Sequence, residues 1–455
     1  MSFSVFKPEL LSPAGTLKNM RYAFAYGADA VYAGQPRYSL RVRNNEFKNI
    51  ETLRLGIEEA HQQGKQFYIA SNIAAHNDKV RSYLRDLEEI VEMGPDALIM
   101  SDPGLIMMVR ERWPELPVHL SVQANAVNYA TVKFWHRQGL SRVILSRELS
   151  LDEIEEIRQK VPEMELEVFV HGALCIAYSG RCLLSGYMTH RDANQGACTN
   201  SCRWQYQAHE AKENEVGELI HVQTQETIQE SIQKPIQQPT SASGSTSQAF
   251  LLQEEGRPGE YMPAYEDEHG TYIMNSKDLR AVQHVKRLTE MGVHSLKIEG
   301  RTKSHYYVAR TAQIYRRAID DAAAGKDFDM KMMDELETLS NRGYTEGFYR
   351  RHPPAEYQQY EKGLISTPGQ QFVGELIDGS PEHLTIDVKN RFERGDQLEL
   401  MTPSGSLFFP LEQMENTEGK AIDVAPGSGH IVQIPRPEGV DDDQLQQALL
   451  VKALG

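Results

Sequence analysis

The sequence predicts an α/β protein: a TIM-like (β/α)8 barrel with a small C-terminal antiparallel β-barrel domain. Three observations carry that prediction. Eight short apolar runs recur over the first 300 residues, most of them separated by amphipathic helical stretches. Nearly every run ends in polar residues, as strands do at the carboxyl mouth of a barrel. Beyond Phe372 the pattern changes to short alternating runs punctuated by Gly, Pro and Asp.

The first strand is read at Leu10–Leu11, running into the loop Ser12–Gly15, with a helix following through Gly27. Further strands are Ala30–Gly34, Gln66–Asn72, Ala97–Asp102, Val118–Gln123, Arg142–Glu148 and Leu166–Gly172, and Ser295–Arg301 is the eighth. Helical stretches between them, such as Asp152–Lys160, imply parallel pairing. A doubly wound open sheet is the competing arrangement for this alternation. The polar strand ends are Asn72, Asp102, Gln123 with Asn125, Glu148, His171, and Glu299 with Arg301. In a barrel these build the active site; in any other fold they only mark where loops begin.

At 455 residues the chain exceeds the usual size of a single core, so two domains are expected. The barrel is assigned to residues 1–206 and 260–340. Residues 207–259 turn to Gln, Thr, Ser and Glu, with Ser241–Ser247 at their heart, and are expected to form a flexible insertion too poor in apolar residues to pack. Helix is predicted from Lys303 to Arg317 and again over Asp320–Ser340. Residues 341–367 are read as a linker and 368–455 as the β-domain, with strands at Val373–Ile377, Leu384–Val388, Gln397–Met401 and His430–Ile434.

Hydrophobic residues at 40% and charged residues at 25% describe an ordinary globular protein. No apolar run reaches the length of a membrane span. Residues Met1–Pro8 lack a basic stretch followed by an apolar one, which predicts a cytoplasmic protein with reduced thiols. Two disulfides in a secreted chain are the opposing reading. The net charge of −16 argues against nucleic acid, but its distribution weakens that argument. Residues 207–268 carry twelve acidic against three basic residues, a net of −9, leaving about −7 for the rest. Near the cysteines the balance reverses, with Arg181, His190, Arg191 and Arg203 opposed only by Asp192.

All four cysteines, Cys175, Cys182, Cys198 and Cys202, lie in one short stretch, which points to chemistry rather than packing. The spacing is Cys-x6-Cys-x15-Cys-x3-Cys. Zinc knuckles pair ligands two to four residues apart, and only Cys198 and Cys202 fit. An iron–sulfur cluster takes four thiolates at irregular spacings and suits the whole set, with [4Fe–4S] the favoured type. Structural zinc and a cysteine nucleophile with His171 as its base stand as alternatives.

The run Glu167-Val168-Phe169-Val170-His171-Gly172-Ala173-Leu174-Cys175, followed by Gly180-Arg181-Cys182-Leu183-Leu184-Ser185, resembles the signature of the collagenase-like peptidase family. Pro8–Gly15 and Lys297-Ile298-Glu299-Gly300-Arg301 are also similar to that family, over essentially the whole chain except the insertion. Glu266–Leu279 and the C-terminal β-domain are most similar to members that modify bacterial tRNA. The resemblance implies an enzyme that forms 5-hydroxyuridine at the tRNA wobble position, with prephenate as co-substrate and dependence on the iron–sulfur assembly machinery.

On that reading the four cysteines hold the cluster, while Arg181, Arg191, Arg203, Arg301 and Lys297 are candidates for binding phosphate or carboxylate. His171, Glu299 and Arg301 are the candidate catalytic residues. A peptidase is the competing function. The sequence holds neither a His-Glu-x-x-His motif nor a Gly-x-Ser-x-Gly elbow. A non-catalytic RNA-binding protein with structural zinc is the third reading.

Overall fold

A computed structural model describes residues 6–39, 46–73, 75–173, 278–301, 303–339, 341, 343–350 and 369–454. It also describes shorter strands at 177–178, 181–182, 206–213, 219–221, 248–254, 261–267 and 270–273. The chain divides into two units: residues 1–173, 278–353 and 366–455 form the first, and 174–277 with 354–365 form the second.

The first unit contains the predicted barrel. Its strands are β1 (Glu9–Pro13), β2 (Ala30–Gly34), β3 (Gln66–Ser71), β4 (Ala97–Met100), β5 (Val118–Leu120), β6 (Arg142–Ile144), β7 (Glu165–Ala173) and β8 (Ser295–Ile298). All pair in parallel in sequence order, and β8 pairs with both β7 and β1, which closes the sheet. The apolar runs read as strands because both faces are covered: every residue of β2 and β4 is buried.

Helices follow the strands, and their starts are written in the sequence. Thr16 caps α1 (Leu17–Ala25), Asn49 caps α2 (Ile50–Gln62), and Asn128 caps α5 (Tyr129–Arg137). Helix α3 (Asn77–Glu92) starts without a side-chain cap. Asp102 accepts from Leu105 N at the start of α4 (Pro103–Arg112), so this polar strand end serves as a helix cap. Ser150 and Glu153 form a capping box on α6 (Leu151–Lys160).

After α7 (Val285–Glu290) and β8, Ser304 caps α8 (His305–Ala323). Helix α8 runs on through Asp320, where the sequence pattern places the start of a second helix. Gly325, at φ +72°, follows its end, and the chain turns before α9 (Lys331–Glu337). Residues 344–350, read as linker, also belong to the barrel wall. Tyr344–Thr345 pairs with the short strand Asp278–Arg280, and Tyr349 donates to the Phe169 carbonyl.

Beyond Gly369 lies an antiparallel sheet of β9 (Gln370–Gly379), β10 (His383–Val388), β11 (Gln397–Thr402), β12 (Gly405–Pro410), β13 (Glu415–Asn416), β14 (Ile431–Pro435) and β15 (Leu449–Ala453). Its order is β12-β11-β15-β9-β10-β14-β13. Alternating residues such as Leu384, Ile386 and Val388 fill its core together with Phe392, Leu398 and Leu400. The sheet is anchored on the barrel's helices. Arg310 of α8 pairs with Glu399 at 2.7 Å, and Tyr26 donates to the carbonyls of Met401 and Gln447.

The second unit holds a five-stranded antiparallel sheet, ordered 219–221, 206–213, 248–254, 261–267, 270–273. This corrects the expectation of an unstructured stretch at 207–259 as far as residues 207–213, 219–221 and 248–254 are concerned. Ala208 pairs with Leu252 and Glu210 with Phe250, so the apolar Phe250–Leu252 run is a ladder strand. Cross-strand pairing here gives order that composition alone did not announce. Ser241–Ser247 lies outside the described residues.

Candidate active site at the carboxyl end of the barrel

Register decides which side chains enter the barrel. Phe67 packs edge-on against Phe47, and Ser71 bonds Tyr83 of α3, so both face the helices. Side chains alternate along a strand, which turns Tyr68 to the axis. Paired residues share a face, so Tyr32, His119, Arg142, Glu165, Glu167, Ser295 and Lys297 follow it inward.

The interior is therefore charged. Arg142 Nη1 is 2.7 Å from Glu9 and 3.3 Å from Glu167, whose other oxygen lies 2.8 Å from Lys297 Nζ. Glu167 is fully buried and Lys297 nearly so. Burial works against the charge on Arg142, but Glu9 and Glu167 outweigh it and raise its pKa. For Lys297 burial is the larger effect and lowers the pKa despite Glu167. His119, buried and flanked by Arg142 and Lys297, is held well below the usual histidine range and is neutral.

Above this network, toward the mouth, cations alternate with rings. Lys297 Nζ lies 4.3 Å from the centroid of Tyr32 and 5.5 Å from that of Phe169. Arg147, just beyond β6, stacks on Phe169 at 3.8 Å and reaches Glu299 at 3.3 Å. Arg301 lies 5.7 Å from the Tyr32 centroid and donates to Ser39 at 3.0 Å. Guanidinium groups with ring faces beside them are the chemistry that can bind carboxylate or phosphate. Two carboxamides beyond the strand ends add polar character: Gln35 is buried with Nε2 and Oε1 unbonded, and Asn125 Oδ1 is buried without a partner.

The two sequence signatures meet here as one construction. Glu167 takes the charge of Lys297, Phe169 takes the Arg147 stack, and Gly172 admits the neighbouring strand end. At φ +105°, a Cβ on Gly172 would lie 2.5 Å from the Glu299 carbonyl oxygen. The spacing Lys297, Glu299, Arg301 thus carries successive charges from the interior outward.

Among the predicted catalytic residues, the structure places Glu299 and Arg301 at the mouth and removes His171 from it. The register between β7 and β8 shifts after Lys297, so Ile298 pairs with His171. The imidazole packs against Tyr307 and Tyr315 of α8 and against Tyr344. Burial pushes its pKa down to about 3, helped by Arg280 and Lys303. It is a neutral wall residue there.

Cys182 lies in a two-strand hairpin in which it pairs with Ala177 and Arg181 pairs with Tyr178. Cys175, Cys198, Cys202, Arg191 and Arg203 lie outside the described residues. Among the described residues no group of three or more His, Cys, Asp or Glu is arranged to hold a metal. Sequence reasoning missed Arg147, Arg142, Glu9 and the structural role of Glu167. The available signal was the alternation of Glu165 with Glu167 and of Lys297 with Glu299 inside strands otherwise apolar; Glu9, Arg142 and Arg147 carry no such pattern.

The barrel and the β-domain each match a model of Peptidase family U32. The chain belongs to that family: the family model matches residues 15–359, and the model of its C-terminal domain matches residues 368–451. It is 64% identical to "tRNA hydroxylation protein P" of Escherichia coli over 98% of this chain and 97% of that protein. It is 60% identical to the protein of the same name in Haemophilus influenzae, over 99% and 97%. With "tRNA hydroxylation protein P1" of Bacillus subtilis it shares 34% over 92% and 89%.

Proposed function

We infer that this chain hydroxylates tRNA, converting the wobble uridine to 5-hydroxyuridine with prephenate as co-substrate, as a cytoplasmic enzyme. The observation that carries the reading is 64% identity over nearly the full length of a tRNA hydroxylation protein. The product replaces C5–H by C5–OH, a net two-electron oxidation with one oxygen atom added. A cationic mouth suits both partners of that reaction. Arg147 and Arg301 carry guanidinium groups, the type that pairs with a carboxylate or a phosphate, and Glu299 fixes the orientation of Arg147.

Cys175, Cys182, Cys198 and Cys202 form the donor set for a [4Fe–4S] cluster, loaded by the iron–sulfur assembly machinery. Four thiols at irregular spacing fit such a group. When bound it supplies electron-transfer or Lewis-acid chemistry that no side chain offers. A peptidase reading needs His171 as a base for Cys175, and an imidazole caged by three tyrosines with a pKa of about 3 is unsuited to that work.

Two measurements test the proposal. Deleting the gene and digesting total tRNA to nucleosides should remove 5-hydroxyuridine; an unchanged level in a strain with no second hydroxylase contradicts the function. Purification without oxygen should yield a coloured protein with iron and sulfide, both lost in Cys182→Ala. A colourless protein with stoichiometric zinc contradicts the cofactor.

A further inference from the structure

Asn125 stands apart from the other polar residues of the barrel mouth. It ends the 3-10 turn Val122–Ala124 that follows β5, and its backbone is left-handed at φ +53°, ψ +50°. The segment around it is tied on both sides. Ser121 N donates to the Met100 carbonyl at the end of β4, and Ser146 N, beyond β6, donates to the Ala126 carbonyl. Asn125 is therefore held at the carboxyl mouth between two strand ends, where barrel enzymes place groups that touch substrate.

The residue is only 8% exposed, and its Oδ1 is buried without a hydrogen-bond partner. A buried acceptor left unbonded is unfavourable. Asn125 closes the 3-10 turn as its left-handed C-cap, a role of its backbone; N-capping by a side chain, as Asp102 does at its own strand end, does not occupy its Oδ1. The N-cap of the next helix is Asn128, which accepts from Thr131 N. An unbonded acceptor beside a barrel mouth is a group that a substrate donor can satisfy.

We propose that Asn125 is a specificity-determining residue: its Oδ1 accepts the imino N3–H of the target uracil once that base is drawn out of the RNA. Among the edges of the uracil ring, N3–H is the strong donor, flanked by two carbonyl acceptors. Enzymes that act on a base take it from the stack and read it by hydrogen bonds to that edge. This inference rests on the tRNA-hydroxylase reading and adds the group that recognises the base.

The test compares turnover of tRNA carrying uridine or N3-methyluridine at the target position, using the holoenzyme and two variants. Methylation removes the donor and leaves C5 untouched. Asn125→Gly removes the carboxamide while suiting the left-handed backbone, and Asn125→Asp keeps an acceptor oxygen. The wild type should favour uridine over N3-methyluridine by roughly 10- to 100-fold, the worth of one buried hydrogen bond. Asn125→Gly should lose most of that preference through slower uridine turnover, and Asn125→Asp should retain it.

A preference equal to wild type in Asn125→Gly, with an unchanged unfolding midpoint, overturns the assignment. So does an equal loss of preference in both variants. A wild-type holoenzyme inactive on both substrates would instead overturn the tRNA-hydroxylase reading itself.

Discussion

Arg147 Nη2 lies 3.3 Å from Glu299 Oε2 while its guanidinium rests 3.8 Å from the Phe169 centroid, so one cation links the ends of β6, β7 and β8. Both carboxylate and ring hold its plane fixed. Arg147→Lys keeps the charge but loses the stack and the planar fork. Turnover of tRNA should fall about 10-fold in Arg147→Lys and about 100-fold in Arg147→Ala, by the scale of a lost charge-assisted contact. Steady-state kinetics with separate kcat and KM checks this, and wild-type kcat/KM in Arg147→Ala would refute it.

Glu167 offers a different test because it is structural charge in a closed interior. Removing it leaves Arg142 with less compensation and Lys297 without its carboxylate. Glu167→Leu should therefore cost about 3–5 kcal/mol of stability. Adding Lys297→Met should recover part of that loss, since the stranded cation is gone. Denaturant unfolding of the single and double variants measures the coupling; strictly additive effects would contradict a direct pair.

His171 predicts a pH signature. Its folded pKa is lowered to about 3, whereas the unfolded chain takes up that proton near pH 6.5. Acidification from about pH 6.5 toward 3 therefore favours unfolding through this group. Its imidazole resonances should not titrate between about pH 5 and 8 in the folded protein. A His171 titration midpoint near the ordinary histidine value of about 6.5 would place it in solvent, against the tyrosine cage.

Glu375 acts in the same direction over a lower pH window, at the seam between the β-domain and the barrel helices. Burial raises its pKa, but Lys18 at 2.6 Å and His305 at 2.8 Å outweigh burial and bring it to about 2. The stabilisation is present above the unfolded carboxylate pKa and is lost as pH falls from about 4.5 toward 2. Glu375→Gln should flatten the acid limb of the unfolding midpoint over that window. An unchanged limb would show that the contact contributes nothing there.

The barrel was legible because nearly every strand is an apolar run closed by polar residues, with helical stretches such as Asp152–Lys160 between them. What escaped was set by register. Nothing local in Glu9, Arg142 or Glu167 says that their side chains meet inside the barrel, since Arg142 is 133 residues from Glu9 and 25 from Glu167. His171 was read as a mouth residue because it is a polar residue ending an apolar run, but the register shift between β7 and β8 accompanies its place in the wall. The strands at 206–213 and 248–254 were hidden because their partners, not their composition, give them order.

The central claim is tRNA hydroxylation, and its most direct measurement is gain of function. The chain is expressed in a bacterial strain lacking every tRNA hydroxylase, and purified tRNA is digested and analysed by mass spectrometry. The account predicts that 5-hydroxyuridine appears, maps to the wobble position, and is absent when Cys182→Ala is expressed at the same level. Expression of the intact protein with no 5-hydroxyuridine in any tRNA would contradict it.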